Sequence, residues 1–316
     1  MKRFVCLFVF LVLSLSAFAA DNMHIFLKEQ GEAITGFKTA TLPSEIKITV
    51  AYPDKYQEPT SKRFPLVFLF DTKEYKIEDL REMFYGKNTK NPKALVASFR
   101  LNNINFSQEQ FNVFLEDIFA FFELNYKTET DPSKRIILAS DTFALQALNA
   151  MQKGGDYFSN LGIFLNNSTS LPSFKEPLKK TSRIFCYADK NNILRLQDLF
   201  LQGGLKPLEN FFLKINSNSV SYLFDLRYFL NSLPKIKQIR PVLPKELSQE
   251  TFFYLQVKTN YGLLDFFPTE VKFAPPILTY IVEKGTLQIL LKEQERVKIS
   301  GVFAGKKWSG KTKISD

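Results

Sequence analysis

Histidine is nearly missing from this 316-residue chain, and His24 is its sole imidazole. A reaction that needs an imidazole base must use that one residue near the N-terminus or do without. Cysteine is almost as scarce, present only as Cys6 and Cys186. Two cysteines and one histidine cannot assemble a structural zinc set, so no metal is expected. Nor does any glycine loop suit a phosphate-bearing cofactor. Gly154-Gly155 and Gly203-Gly204 read as helix stops, and no cofactor is expected. Beyond residue 20 no apolar run approaches the roughly 20 residues that cross a bilayer. Acids are in deficit, 32 against 42 Lys and Arg, for a formal charge of +10. That charge is spread along the chain, which excludes nucleic acid as the expected partner and favours an anionic envelope surface.

The N-terminal residues have the grammar of export. Lys2 and Arg3 are followed by the apolar run 4–13, and Ala17-Phe18-Ala19 is an A-x-A cleavage signal. Residues 1–19 are therefore expected to be a cleaved signal peptide, with the mature chain periplasmic or secreted. Lys2 and Arg3 supply two of the ten net charges, which leaves +8 on the mature chain. Cys6 leaves with the signal, so Cys186 has no intrachain partner. An exported chain of this size can do without a disulfide.

In the first two thirds, strand and helix signals alternate. Residues 45–52 alternate apolar with polar, as a two-faced strand does. Residues 66–70 form a continuous apolar run, the mark of a strand buried on both faces, and 94–99, 135–139, 161–165 and 183–188 repeat this pattern. Between them, 108–126 places Phe111, Phe114, Leu115, Ile118, Phe121 and Phe122 at helical spacing. Ser107 and Gln110 ahead of it fit a capping box. Residues 142–153, 191–201 and 219–233 are further helices. This order predicts an α/β fold, a mostly parallel sheet with helices on both faces.

After Pro234 the pattern changes. Pro241 and Pro244 flank an expected linker, and 252–259, 270–273, 286–292, 296–303 and 311–314 read as strands with a turn at 305–310. The expected division is 20–234 for the α/β domain and 235–316 for a small all-β module. Lys306, Lys307, Lys311 and Lys313 surround Trp308, the only tryptophan. A strand edge guarded by lysines is favoured there over a ligand patch.

Certain segments resemble a known family. Ile48-Thr49-Val50-Ala51-Tyr52-Pro53-Asp54-Lys55-Tyr56 is similar to the strand and Y-P-x-x-Y turn of the esterase D-like and enterochelin esterase-like family of α/β-hydrolases. Phe64-Pro65-Leu66-Val67-Phe68-Leu69-Phe70-Asp71 resembles its next strand. Phe114-Leu115-Glu116-Asp117, Tyr126 and Arg135-Ile136-Ile137 resemble the approach to its nucleophile. The resemblance implies an α/β-hydrolase fold over about residues 40–230, with G-x-S-x-G at the nucleophile turn.

At that place the chain reads Ala139-Ser140-Asp141-Thr142-Phe143-Ala144. Ala139 and Ala144 keep the small positions, but Asp141 replaces the serine and Phe143 a glycine. Asp141 is read first as a helix N-terminal acid and second as a nucleophile. Taking Ser140 as nucleophile shifts the frame and puts Leu138 and Thr142 at the small positions. Asp189 falls at the family's acid position and equally suits a helix cap. Asn218, in Asn216-Ser217-Asn218-Ser219, stands where the base histidine is implied. Thr72 follows Asp71 where the family has glycine. The expectation is an exported esterase-like pseudoenzyme that binds an envelope protein or glycan. The alternative is an ester hydrolase with a non-standard centre at Asp141 or Ser140.

Overall fold

The computed structural model describes residues 30–39, 42–59, 61–87, 89–101, 104, 106–154, 157–165, 182–215, 225–243, 246–247, 250–274, 279–283, 286–290 and 297–314. The expected signal peptide, His24 and Asn218 lie outside these residues.

The continuous apolar runs become the buried centre of one sheet. Its strands are β1 (Gly31–Thr39), β2 (Leu42–Ala51), β3 (Leu66–Asp71), β4 (Leu95–Arg100), β5 (Arg135–Ser140), β6 (Asn160–Phe164), β7 (Arg183–Ala188) and β8 (Phe211–Ile215). They lie in the order β1-β2-β4-β3-β5-β6-β7-β8. β3 to β8 pair in parallel, and β2 is antiparallel to both of its neighbours. A mostly parallel sheet of this order with one reversed strand is the α/β-hydrolase sheet, as the resemblance implied.

The helices are α1 (Ile77–Tyr85), α2 (Gln108–Asn125), α3 (Asp141–Gly154), α4 (Lys190–Gln202) and α5 (Arg227–Leu230). The chain leaves β3 toward the β1 edge and returns past it from β4 to β5. Right-handed crossovers then put α1 on one face and α2, α3 and α4 on the other. α2 begins as expected: Ser107 Oγ accepts from Gln110 N at 3.2 Å, and Gln110 Oε1 accepts from Ser107 N at 2.9 Å. Its buried stripe packs Phe111, Phe114, Phe119 and Phe122 over Phe68, Phe70 and Phe99 of the sheet. Edge-to-face pairs such as Phe99 with Phe114, 5.9 Å apart at 89°, suit the ring quadrupole. Phe119 thus takes a core place, while Phe121 is half-buried against Phe37 of β1.

Several boundaries differ from the sequence reading. β1, α1 and β8 carry weak signals. β1 holds two glycines and alternates irregularly, with bulges that break its register as an edge strand. Of the expected helix 219–233, the helical residues described are Arg227–Leu230. Arg183 ends that helix by donating to the carbonyls of Phe229 (3.0 Å) and Asn231 (2.6 Å).

The expected linker contains a strand, β9 (Ile236–Val242), in which Pro241 pairs opposite Leu255. An edge strand tolerates a proline because its outer side needs no N–H. Beyond it lie β10 (Glu246–Leu247), β11 (Glu250–Phe252), β12 (Tyr254–Thr259), β13 (Leu263–Phe266), β14 (Lys272–Ala274), β15 (Thr279–Glu283), β16 (Thr286–Leu290), β17 (Val297–Phe303) and β18 (Lys306–Ile314). They form three small sheets, β13-β12-β9, β11-β16-β15 and β10-β18-β17-β14. The expected turn 305–310 shrinks to Ala304-Gly305, both left-handed at φ 46° and 76°, which is the two-residue hairpin geometry. These strands dock on the large sheet. Asp265 Oδ2 accepts from Ile215 N at 3.0 Å and pairs with Lys214 Nζ at 3.2 Å.

Candidate functional site

In an open α/β sheet, ligands meet the carboxyl ends of the strands where neighbouring connections diverge. Here β3 turns toward one edge and β5 toward the other, so that point lies between Asp71 and Ser140. Both strands are buried until their last residue, where the chain leaves the sheet on a half-buried polar side chain. Ser140 Oγ donates to Asp71 Oδ1 at 3.3 Å. Asp71 is further occupied by the Tyr75 hydroxyl on Oδ2, at 2.7 Å, and by the Lys73 N–H on Oδ1, at 3.3 Å. The Lys73 ammonium lies 5.0 Å over the Tyr75 ring.

Beside Asp71 in register stands Arg100. It shares the Glu74 carboxylate with Lys47, and the hydrogen bond from Lys47 holds the Glu74 carboxyl below its usual range. The strand ends therefore present a hydroxyl donating into a carboxylate, flanked by an acid paired with two cations. Cys186 offers no thiol nucleophile, being fully buried with its thiol pushed up by that burial.

The residues expected from the resemblance are placed as follows. Asp141 is the first residue of α3, directly after the strand residue Ser140. Its side chain is not among those described. Phe143, in the place of a glycine, is 6% exposed and meets Phe106 edge-on at 6.4 Å. Gln146 Nε2 donates to Phe106 O at 2.7 Å, and Gln108 Nε2 to Gln146 O at 3.1 Å, fastening α3 to the start of α2. Asp189 caps α4: one carboxylate oxygen accepts from Asn191 N (2.8 Å) and Asn192 N (3.2 Å). Its other oxygen accepts from Asn192 Nδ2 at 2.6 Å. β6 stands between the strands that carry Asp189 and Ser140. Asn218 and His24 fall outside the described residues.

The Asp71–Ser140 contact spans 69 residues and has no local signal beyond the polar residue that ends each buried run. Trp308 turns inward, 4% exposed, against the backbone of Gly301. Lys306, Lys307 and Lys311 remain on the surface. Among the described residues, no helix is long and apolar enough to cross a membrane.

No protein-family profile matches the chain, and no curated protein matches it. Solved structures do resemble it. A ferulic acid esterase from the anaerobic fungus Anaeromyces mucronatus shares 13% identity over 64% of this chain and 90% of its own, with a TM-score of 0.46. The enterobactin esterase of Shigella flexneri shares 12% identity over 62% of this chain and 56% of its own, with a TM-score of 0.45. The S-formylglutathione hydrolase of Staphylococcus aureus shares 8% identity over 55% and 87%, with a TM-score of 0.42. Nothing about substrate passes from them to this chain, whose own atoms place a carboxylate against the serine at the head of its sheet.

Proposed function

We propose that this chain is an exported esterase-like pseudoenzyme that acts in the cell envelope by binding a protein or glycan. The observation that carries this reading is the 3.3 Å contact between Ser140 Oγ and the Asp71 carboxylate. Serine esterases pass through a tetrahedral oxyanion, which working sites stabilise with hydrogen-bond donors. At Ser140 the neighbour is instead a hydrogen-bond acceptor, the Asp71 carboxylate. Carboxylates are also far weaker bases than imidazole. Phe143 committed to packing and Asp189 committed to a cap point the same way.

A second reading, ester hydrolysis at Ser140 or Asp141, draws on the same contact, since a carboxylate that accepts the serine hydrogen bond is a base. A fluorophosphonate probe and a short-chain p-nitrophenyl ester separate the two. The binding reading requires no labelling of Ser140 and no turnover above that of Asp71→Ala and Asp141→Ala. Labelling at Ser140, or turnover lost in either variant, establishes the hydrolase instead. Export is tested by intact mass. The exported protein should begin at or next to Ala20, and a mass that includes residues 1–19 rules processing out.

A further inference from the structure

At the far end of the sheet from Ser140, a groove of about 720 Å³ opens where the parallel strands begin. Tyr52 follows β2 opposite the start of β4, while Arg63 and Lys127 precede β3 and β5. The volume is that of a small-ligand site, for which roughly 300–1,000 Å³ is usual.

Its floor is built from distant parts of the chain. Tyr52 and Tyr126 both donate to Glu32 Oε1, at 2.6 and 2.5 Å. Tyr56 stacks on Tyr52 with ring centroids 4.5 Å apart, and its hydroxyl accepts from Lys127 N at 2.9 Å. Burial first, and the Glu32 carboxylate second, push the phenols of Tyr52 and Tyr126 well above their ordinary range. They hold their protons and fix the floor.

The walls carry both signs of charge, already engaged. Arg63 donates to Thr128 O at 2.9 Å, and Lys127 Nζ to Glu58 O at 2.9 Å. Glu123 is ion-paired with the buried Arg135. Three cations, Lys62, Arg63 and Lys127, stand against two acids, Glu32 and Glu123, so neither sign dominates the lining. A quaternary ammonium is also unsuited, because the Lys127 ammonium already lies 5.7 Å over the Tyr56 ring. What the groove offers is polar side chains beside those charges, Ser61 and Asn125 among them, with Leu124, 85% exposed, as an apolar patch on the wall. Sugar hydroxyls donate and accept, and the C–H face of a pyranose covers an apolar side chain.

We propose that this groove binds a neutral oligosaccharide. The proposal stands apart from the state of the serine edge, and the two fail in different assays. The full chain is titrated calorimetrically with chitohexaose, cellohexaose, xylohexaose and, as an anionic arm, hexagalacturonate. At least one neutral hexasaccharide should bind saturably at one site. Ser61→Trp fills the groove from an exposed position and should weaken that binding at least ~10-fold. Glu32→Gln, which disturbs the tyrosine floor, should weaken it as well. Lys307→Ala, on the surface of β18, should leave it unchanged. Far-UV circular dichroism checks the fold, and if Glu32→Gln misfolds, Ser61→Trp alone decides. The proposal is overturned if no neutral probe binds at millimolar concentration. It is equally overturned if hexagalacturonate binds more tightly, if Ser61→Trp is without effect, or if Lys307→Ala abolishes binding.

Discussion

Replacing Gln197 by methionine keeps the side-chain volume and removes two hydrogen bonds that tie α4 to the C-terminal strands. Gln197 is 3% exposed. Its Nε2 donates to Phe267 O and its Oε1 accepts from Phe267 N, both at 2.8 Å. Phe267 is itself 1% exposed, so water does not replace either partner. Each buried backbone group left unsatisfied costs roughly 1–3 kcal/mol, and the pair therefore about 2–6 kcal/mol. Trp308 is the only tryptophan and is buried in the C-terminal region. Its fluorescence reports that region without contribution from the large sheet. At a urea slope of about 3 kcal/mol per molar, the Trp308 transition should fall by about 1 M. A shift of under ~0.2 M, on the same slope, would refute the view that this pair joins the two parts.

Gly301→Ala should destabilise the C-terminal strands by roughly 1–3 kcal/mol and alter Trp308 emission, because overpacking there has no slack. A Cβ on Gly301 would lie 2.7 Å from Glu270 O and from Trp308 Cζ2. Wild-type stability with unchanged fluorescence would contradict this. Ala304→Asn should stabilise by a few tenths of a kcal/mol to about 1, since Ala304 holds φ 46° in a two-residue turn that favours Asn; thermal melts decide the sign. Asp189→Ala should cost about 1 kcal/mol through loss of the α4 cap, and Asp189→Asn less, in denaturant titrations. Burial raises the Tyr85 phenol well above its ordinary 10.0, beyond a smaller opposing effect of Arg81. The unfolded chain then loses this proton first. The contribution is intact below about pH 10 and is lost as pH rises beyond it, by at most ~1.4 kcal/mol per unit. Urea midpoints that stay level between about pH 9 and 11 would show that burial does not protect this phenol.

The parts of the fold legible in the sequence are those where burial and period coincide. β3, β4 and β5 are apolar runs because both faces of the sheet are covered, and α2 announces itself through Ser107, Gln110 and its aromatic stripe. β1 was hidden by Gly31 and Gly36 and by bulges that break the alternation, and β9 by Pro241, which an edge strand accommodates. Of the candidate site, the cap at Asp189 was readable, because local spacing carries it, whereas the break at 139–144 was read only against the motif that the family resemblance implies. The Asp71–Ser140 contact and the Glu32–Tyr126 bond were not readable. They join residues 69 and 94 positions apart, and only the sheet register brings them together.

The two ends of the sheet share one chemical theme. Asp71 takes hydrogen bonds from Ser140 and Tyr75, and Glu32 takes them from Tyr52 and Tyr126. What the pairs do is hold side-chain positions, and the phenols at Glu32 are held all the more firmly for being buried. Such positional rigidity lowers the cost of ordering a ligand's partners and serves recognition directly. Both strand ends of this sheet thus carry hydroxyl–carboxylate pairs that fix side chains in place.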